Sequence, residues 1–213
     1  MPQKSDKLLP TLTGQPVIPV LKIDRAADAA PLARALARGG LPAIEITLRT
    51  REAIDAIRIA AAEVPEAVIG AGTILNARQF DQAVRAGARF IVSPGTTQEL
   101  LDAARSTDVP LLPGATTPSE IMAAAEEGYS ILKFFPAEQS GGIAFLKALS
   151  APLAGTRFCP TGGVTPANAP AYLSLPNVIC VGGSWIVPDT LLQAGDWDGI
   201  EALAREAAAL SKA

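Results

Sequence analysis

The strongest constraint on this chain is a rhythm. Eight short, apolar, strand-like runs recur along it, at residues 16–23, 43–48, 67–73, 88–95, 109–115, 129–136, 156–163 and 177–184. Alanine-rich stretches of helical period lie between most of them, at 26–38, 51–62, 77–86, 98–105, 118–127 and 143–149, and 200–210 closes the chain. In 26–38, for example, Ala29, Leu32, Ala33 and Leu36 share one face. Strands that alternate with helices are joined by crossovers and so run parallel. Eight such repeats, with no linker and no composition break, predict one α/β domain over 1–213. The expected architecture is a closed (β/α)8 barrel of eight parallel strands, in preference to an open doubly wound sheet. Residues 1–15 precede the first strand, and 3–13 read as a short, loosely amphipathic segment.

Helix punctuation fits the same rhythm. Gly39, Gly87 and Gly128 each follow an alanine-rich stretch, where a helix-ending glycine belongs. Asn76, Thr97, Thr117 and Thr165 stand at expected N-caps, and Pro118 and Pro166 at the first helical position after two of them.

What is missing narrows the chemistry. The net charge is −3 and no basic stripe runs through the chain, which speaks against nucleic acid and anionic membranes as partners. No apolar stretch reaches membrane-spanning length, and the first seven residues lack an apolar signal core. A cytoplasmic protein is expected. Cys159 and Cys180 both lie in apolar runs and read as buried thiols, with no support for a disulfide. There is no histidine at all. Acid–base chemistry must then fall to Glu, Asp, Lys, Tyr or water, and a His-ligated metal is excluded. No phosphate-binding Walker loop occurs, nor a dinucleotide glycine motif after the first run. Neither a metal nor any other cofactor is expected.

The polar residues that do interrupt the strand-like runs collect near their C-terminal ends, where barrels of this kind place their catalytic groups. Lys133 is the only charged residue in the apolar run 129–136. A buried lysine is costly unless paired, yet as a neutral amine it is a nucleophile towards carbonyl carbon. It is a candidate Schiff-base residue, with Phe135 on the same face. In 43–49, Glu45, Thr47 and Arg49 share one face and Ile44, Ile46 and Leu48 the other. The polar face should point inward. Glu45 is then either half of a structural ion pair or an acid–base group beside Lys133. Arg49 is either a solvated cation or a carboxylate clamp. The ends Gly70–Thr73 and Ser93–Gly95 are compatible with plain turns or with close approach of a ligand, Thr73 offering a hydroxyl. The glycines ending the last two runs, Thr161-Gly162-Gly163 and Gly182-Gly183-Ser184, fall where barrels often hold phosphate through backbone N–H groups.

Six blocks in order, Glu45–Thr50, Gly70–Leu75, Ser93–Gly95, Lys133–Glu138, Cys159–Gly163 and Gly182–Trp185, together resemble the 2-keto-3-deoxy-6-phosphogluconate (KDPG) aldolase family, KDPG/KHG aldolases included. The likeness runs from about Pro16 to the last helix. It implies a homotrimeric TIM barrel of the class I aldolase type, a lyase of the Entner–Doudoroff route that releases pyruvate and glyceraldehyde 3-phosphate. The same likeness leaves room for cleavage of 4-hydroxy-2-oxoglutarate to pyruvate and glyoxylate. By position, Lys133 is similar to the family's Schiff-base lysine and Glu45 to its proton-transfer residue. Arg49 and Thr73 look like binders of the pyruvate carboxylate. Thr161, Gly162, Gly163, Gly183 and Ser184 look like the phosphate site, and Pro94 and Phe135 like pocket walls. A relative acting on the galactonate epimer shares the lysine and glycine blocks but typically lacks the Thr47-Leu48-Arg49 and Cys159-Pro160-Thr161 seen here. Two alternatives of other classes remain: a phosphosugar isomerase or epimerase that forms no imine, and a non-catalytic phosphate-binding regulatory barrel.

Overall fold

The computed structural model describes residues 5–210. The first two residues of the expected amphipathic segment, and 1, 2 and 211–213 of the expected domain, lie outside them. Among the described residues there are eight strands, all paired in parallel. They are β1 (Val17–Leu21), β2 (Ala43–Thr47), β3 (Val68–Gly72), β4 (Phe90–Val92), β5 (Leu111–Leu112), β6 (Ile131–Phe134), β7 (Arg157–Pro160) and β8 (Val181–Gly183). Each falls inside one of the eight apolar runs and is shorter than it.

The ladders are not one continuous sheet. Six strands form a curled sheet in the order β5-β4-β3-β2-β1-β8, and β6 and β7 pair separately. Isolated bridges lie at both gaps. The N–H of Lys133 donates to Pro113 O at 2.9 Å, and that of Ala115 donates to Lys133 O at 3.0 Å. On the other side the N–H of Ile179 donates to Phe158 O at 3.0 Å, and Thr161 bridges Gly182.

Helices follow the strands: α2 (Ala29–Arg38), α3 (Ala53–Glu63), α4 (Ala77–Arg85), α5 (Gln98–Arg105), α6 (Pro118–Glu126), α7 (Gly142–Leu149), α8 (Ala169–Leu173), α9 (Asp189–Ala194) and α10 (Trp197–Ala208). Asn76, Thr97 and Thr117 accept from the third residue beyond, as N-caps do, and Thr117 with Glu120 completes a capping box. Thr165 does not cap a helix. It exchanges hydrogen bonds with Asn168, the residue that precedes α8, so Pro166 lies in a turn rather than at a helix start. Gly87 and Gly128 take the left-handed backbone after α4 and α6, while after α2 that role belongs to Gly40 rather than Gly39. No helix among the described residues is long and apolar enough to cross a membrane.

Two apolar layers follow from strand alternation. The larger cluster packs helices onto the outer face of the strands, with Ile44, Ile46, Leu132 and Phe134 among its members. The smaller joins Ile18, Ala43, Phe90, Val92, Leu112, Ile131 and Ile179 to Leu8 and Leu12 of α1 (Ser5–Thr13). Several of these are the first residues of their strands, so α1 stoppers the end of the sheet opposite the polar groups. Gln15 ties α1 down, its amide donating to Val17 O and Ala43 O and accepting from Ala43 N. Cys159 and Cys180 lie buried in this inner layer and form no disulfide.

Candidate active site

Lys133 from β6 and Glu45 from β2 meet inside the curled sheet. Lys133 Nζ donates to Glu45 Oε1 at 3.2 Å, and the two side chains are only 6% and 4% exposed. Alternation explains the meeting, because Ile44, Ile46, Leu132 and Phe134 take the outer face and leave Glu45 and Lys133 on the inner one. The ring of Phe135 covers Nζ at 5.4 Å from its centroid. A buried pair of this kind holds each charge only through the other.

The pair forms the floor of a cavity of about 240 Å³. Arg49 and Thr73 line it. Arg49 sits just past the end of β2, and its Nε donates to Thr47 Oγ1 at 2.9 Å. Thr47 in turn donates to Leu21 O at 2.7 Å. This relay anchors the guanidinium by one nitrogen, and its two terminal nitrogens have no partner among the described residues. They are free to meet a carboxylate edge-on. Thr73 has φ of 58°, a left-handed conformation that is strained for a β-branched residue. It is held there by Ile74, which is fully buried and donates to Val92 O at 3.2 Å. Pro94 and Phe135 form walls.

Thr161, Gly162, Gly163 and Ser184 line the cavity beyond the lysine. Gly162 and Gly163 have φ of 97° and 77°. Neither of their N–H groups has an acceptor among the described residues, and such groups make a concavity for an anion. Gly183 is the exception among the residues singled out from sequence. It does not line the cavity. A Cβ there would lie 2.1 Å from the ring of Trp185, on the opposite face of β8. Its neighbour Gly182 faces inward, because a Cβ at 182 would lie 2.3 Å from Thr161 Oγ1. Val20, Thr47 and Val164 also line the cavity and were not singled out as site residues. For Thr47 the signal was present, in its place on the polar face of 43–49; Val20 and Val164 are ordinary apolar residues in sequence.

A buried amine beside a carboxylate, in a cavity also lined by a cation and by free backbone N–H groups, suits an enzyme of carbonyl chemistry on a small, doubly anionic substrate. The family model for KDPG and KHG aldolases matches residues 9–203. The KHG/KDPG aldolase of Escherichia coli K12 is 51% identical over 196 residues, covering 92% of each chain. The 2-dehydro-3-deoxy-phosphogluconate aldolase of Pseudomonas aeruginosa is 54% identical over 191 residues, 90% of this chain and 87% of that one. Among solved structures, a KDPG aldolase from Legionella pneumophila, crystallised with pyruvate as a covalent carbinolamine, superposes with a TM-score of 0.91 at 46% identity, covering 93% of this chain and 97% of that one. The chain belongs to the KDPG and KHG aldolase family.

Proposed function

We propose that this chain is a class I aldolase that cleaves 2-keto-3-deoxy-6-phosphogluconate to pyruvate and D-glyceraldehyde 3-phosphate through an imine on Lys133. One observation carries the reading: a buried lysine nitrogen 3.2 Å from a buried carboxylate, on the floor of the cavity that holds the other candidate residues.

Attack needs the neutral amine. Glu45 lies within one hydrogen bond of Nζ, so it can accept the lysine proton directly. The neutral amine adds to the C2 ketone, and the carbinolamine hydroxyl leaves as water with the proton that Glu45 took, which restores the carboxylate and leaves a protonated imine as the electron sink. Glu45, directly or through one water, takes the C4 hydroxyl proton. The C3–C4 bond then breaks, its electrons flow into the imine, and the aldehyde departs. Protonation of the enamine at C3 and hydrolysis release pyruvate and free Lys133. Arg49 and Thr73 hold the carboxylate next to C2. The N–H groups of Gly162 and Gly163, with Ser184, hold the distal phosphate. Fixing both ends sets the scissile bond above Nζ. Thr161, Pro94 and Phe135 shape the middle of the pocket, and Gly183 contributes only through backbone beside Ser184.

The gluconate epimer is preferred over the galactonate epimer because Thr47-Leu48-Arg49 and Cys159-Pro160-Thr161 are both present. Cleavage of 4-hydroxy-2-oxoglutarate is the second activity, favoured by the dual name of the 51%-identical relative. The same reading takes the chain as one domain whose two ladders, with the bridges at Lys133 and Thr161, close a (β/α)8 barrel. It takes the protein as a cytoplasmic homotrimer that uses no cofactor, resting on the family likeness. The test is pyruvate release, coupled to lactate dehydrogenase, from both C4 epimers and from 4-hydroxy-2-oxoglutarate. The gluconate epimer should turn over fastest; release from neither epimer, or faster release from the galactonate epimer, would overturn the assignment.

A further inference from the structure

One part-buried polar contact beside the cavity has no part in the steps above. The phenol of Tyr172, on α8, donates to the Glu138 carboxylate, just past β6. Tyr172 is wholly buried, while Glu138 is exposed overall. Burial first, and then the adjoining carboxylate, pushes the phenol well above the usual tyrosine range, so it stays a donor at any working pH.

What this contact grips is the loop at 162–163. The N–H of Glu138 donates to Gly162 O at 3.1 Å. The stem of Glu138 lies flat against Gly163, where a Cβ would come within 2.5 Å of Glu138 Cγ. Asn168 Nδ2 donates to Gly163 O at 3.1 Å. Both glycine carbonyls are thereby tied down on the side held by Glu138 and Asn168. Gly162 O shares its peptide plane with the Gly163 N–H, and the plane that carries the Gly162 N–H is held through Thr161 O, which accepts from the Ala137 N–H at 2.8 Å.

We propose that Glu138 and Tyr172 are positioning residues for phosphate: the phenol locks the carboxylate, and Glu138 holds Gly162 and Gly163 in the left-handed shape that presents their N–H groups. This rests on the phosphate reading given under the proposed function. A carboxylate is an odd neighbour for a phosphate loop, since its charge repels the ligand. What the position needs is an acceptor for Tyr172, not a charge. Glutamine should therefore serve as well as glutamate, and alanine should not.

The test compares kcat/KM for 2-keto-3-deoxy-6-phosphogluconate with that for its unphosphorylated analogue. Deuterium exchange at C3 of pyruvate, followed by NMR, reads the lysine end alone. Tyr172→Phe and Glu138→Ala should each cut kcat/KM for the phosphorylated substrate by about tenfold or more, the scale of one charge-assisted hydrogen bond, mainly through KM. Glu138→Gln should keep the preference for phosphate, and pyruvate exchange should hold in all three. If the wild type ignores the phosphate, the phosphate site falls and this inference with it. If the wild type prefers the phosphate and Tyr172→Phe and Glu138→Ala keep that preference in full, or lose pyruvate exchange in parallel, the positioning role alone is overturned.

Discussion

The carboxylate of Glu45 fills the space that a side chain at Gly72 would need. A Cβ at 72 would stand 2.0 Å from Glu45 Oε1 and 2.6 Å from its Cδ and Cγ. Gly72 is the last residue of β3 and pairs with Thr47 in the ladder, so its backbone is held in place while the glutamate head can turn aside. Gly72→Ala should therefore leave folding nearly intact and push the carboxylate off Lys133. A displacement of about 1 Å at such a point costs on the order of a hundredfold in rate. Steady-state kinetics beside a thermal melt checks this: activity should fall by about that factor with little change in the midpoint.

Glu45→Gln keeps the size of the side chain and removes its basicity. The expected loss in kcat is about a hundredfold to ten-thousandfold, the range of general acid–base catalysis. Pyruvate binding, read by isothermal titration, should weaken far less. Unchanged kcat would remove the proton-transfer role.

Much of this arrangement is legible in the amino acids, for a definite reason. Glu45 and Lys133 are charges set inside apolar strands, so alternation shows which face they share before any coordinates are seen. Where the alternation carries no side chain, it is silent. β8 is three residues long and ends in two glycines, and nothing in sequence says that 182 faces the cavity and 183 faces Trp185. Helices α8 and α9, with five and six residues, are too short to show a helical period, and Pro170 masks the first of them. The split of the strands into ladders of six and two depends on bridges between main-chain groups, which no residue type announces.

The stopper at the other end of the sheet predicts a loss of stability without a loss of chemistry. Leu12 is fully buried in the inner layer with Ile18, Phe90 and Ile131. Leu12→Ala should cost about 3 kcal/mol, the middle of the range for a buried leucine, seen as an earlier urea midpoint. Below the unfolding transition kcat should stay close to wild type, because Lys133 and Glu45 lie farther along their strands.

One helix end carries a pH signature. Backbone N–H groups of Thr117 and Thr116, with the Thr117 hydroxyl, hold the Glu120 carboxyl below the usual carboxylate range. A lowered value in the folded protein means that this contribution is fully present above the unfolded value of about 4.5 and is lost as pH falls through the folded one. Glu120→Ala should lower stability at pH 7 by the cost of a lost cap, about 1 kcal/mol, read as a lower melting temperature. The gap between variant and wild type should narrow as pH drops below about 4. A gap that does not change with pH would show that the carboxylate's charge is not what the cap uses.

The most direct measurement is trapping with borohydride in the presence of pyruvate, followed by peptide mass mapping. A reduced pyruvate adduct should appear on the peptide carrying Lys133 and vanish in Lys133→Ala. An adduct that survives in Lys133→Ala, or none at all from an enzyme that turns over, would contradict the imine.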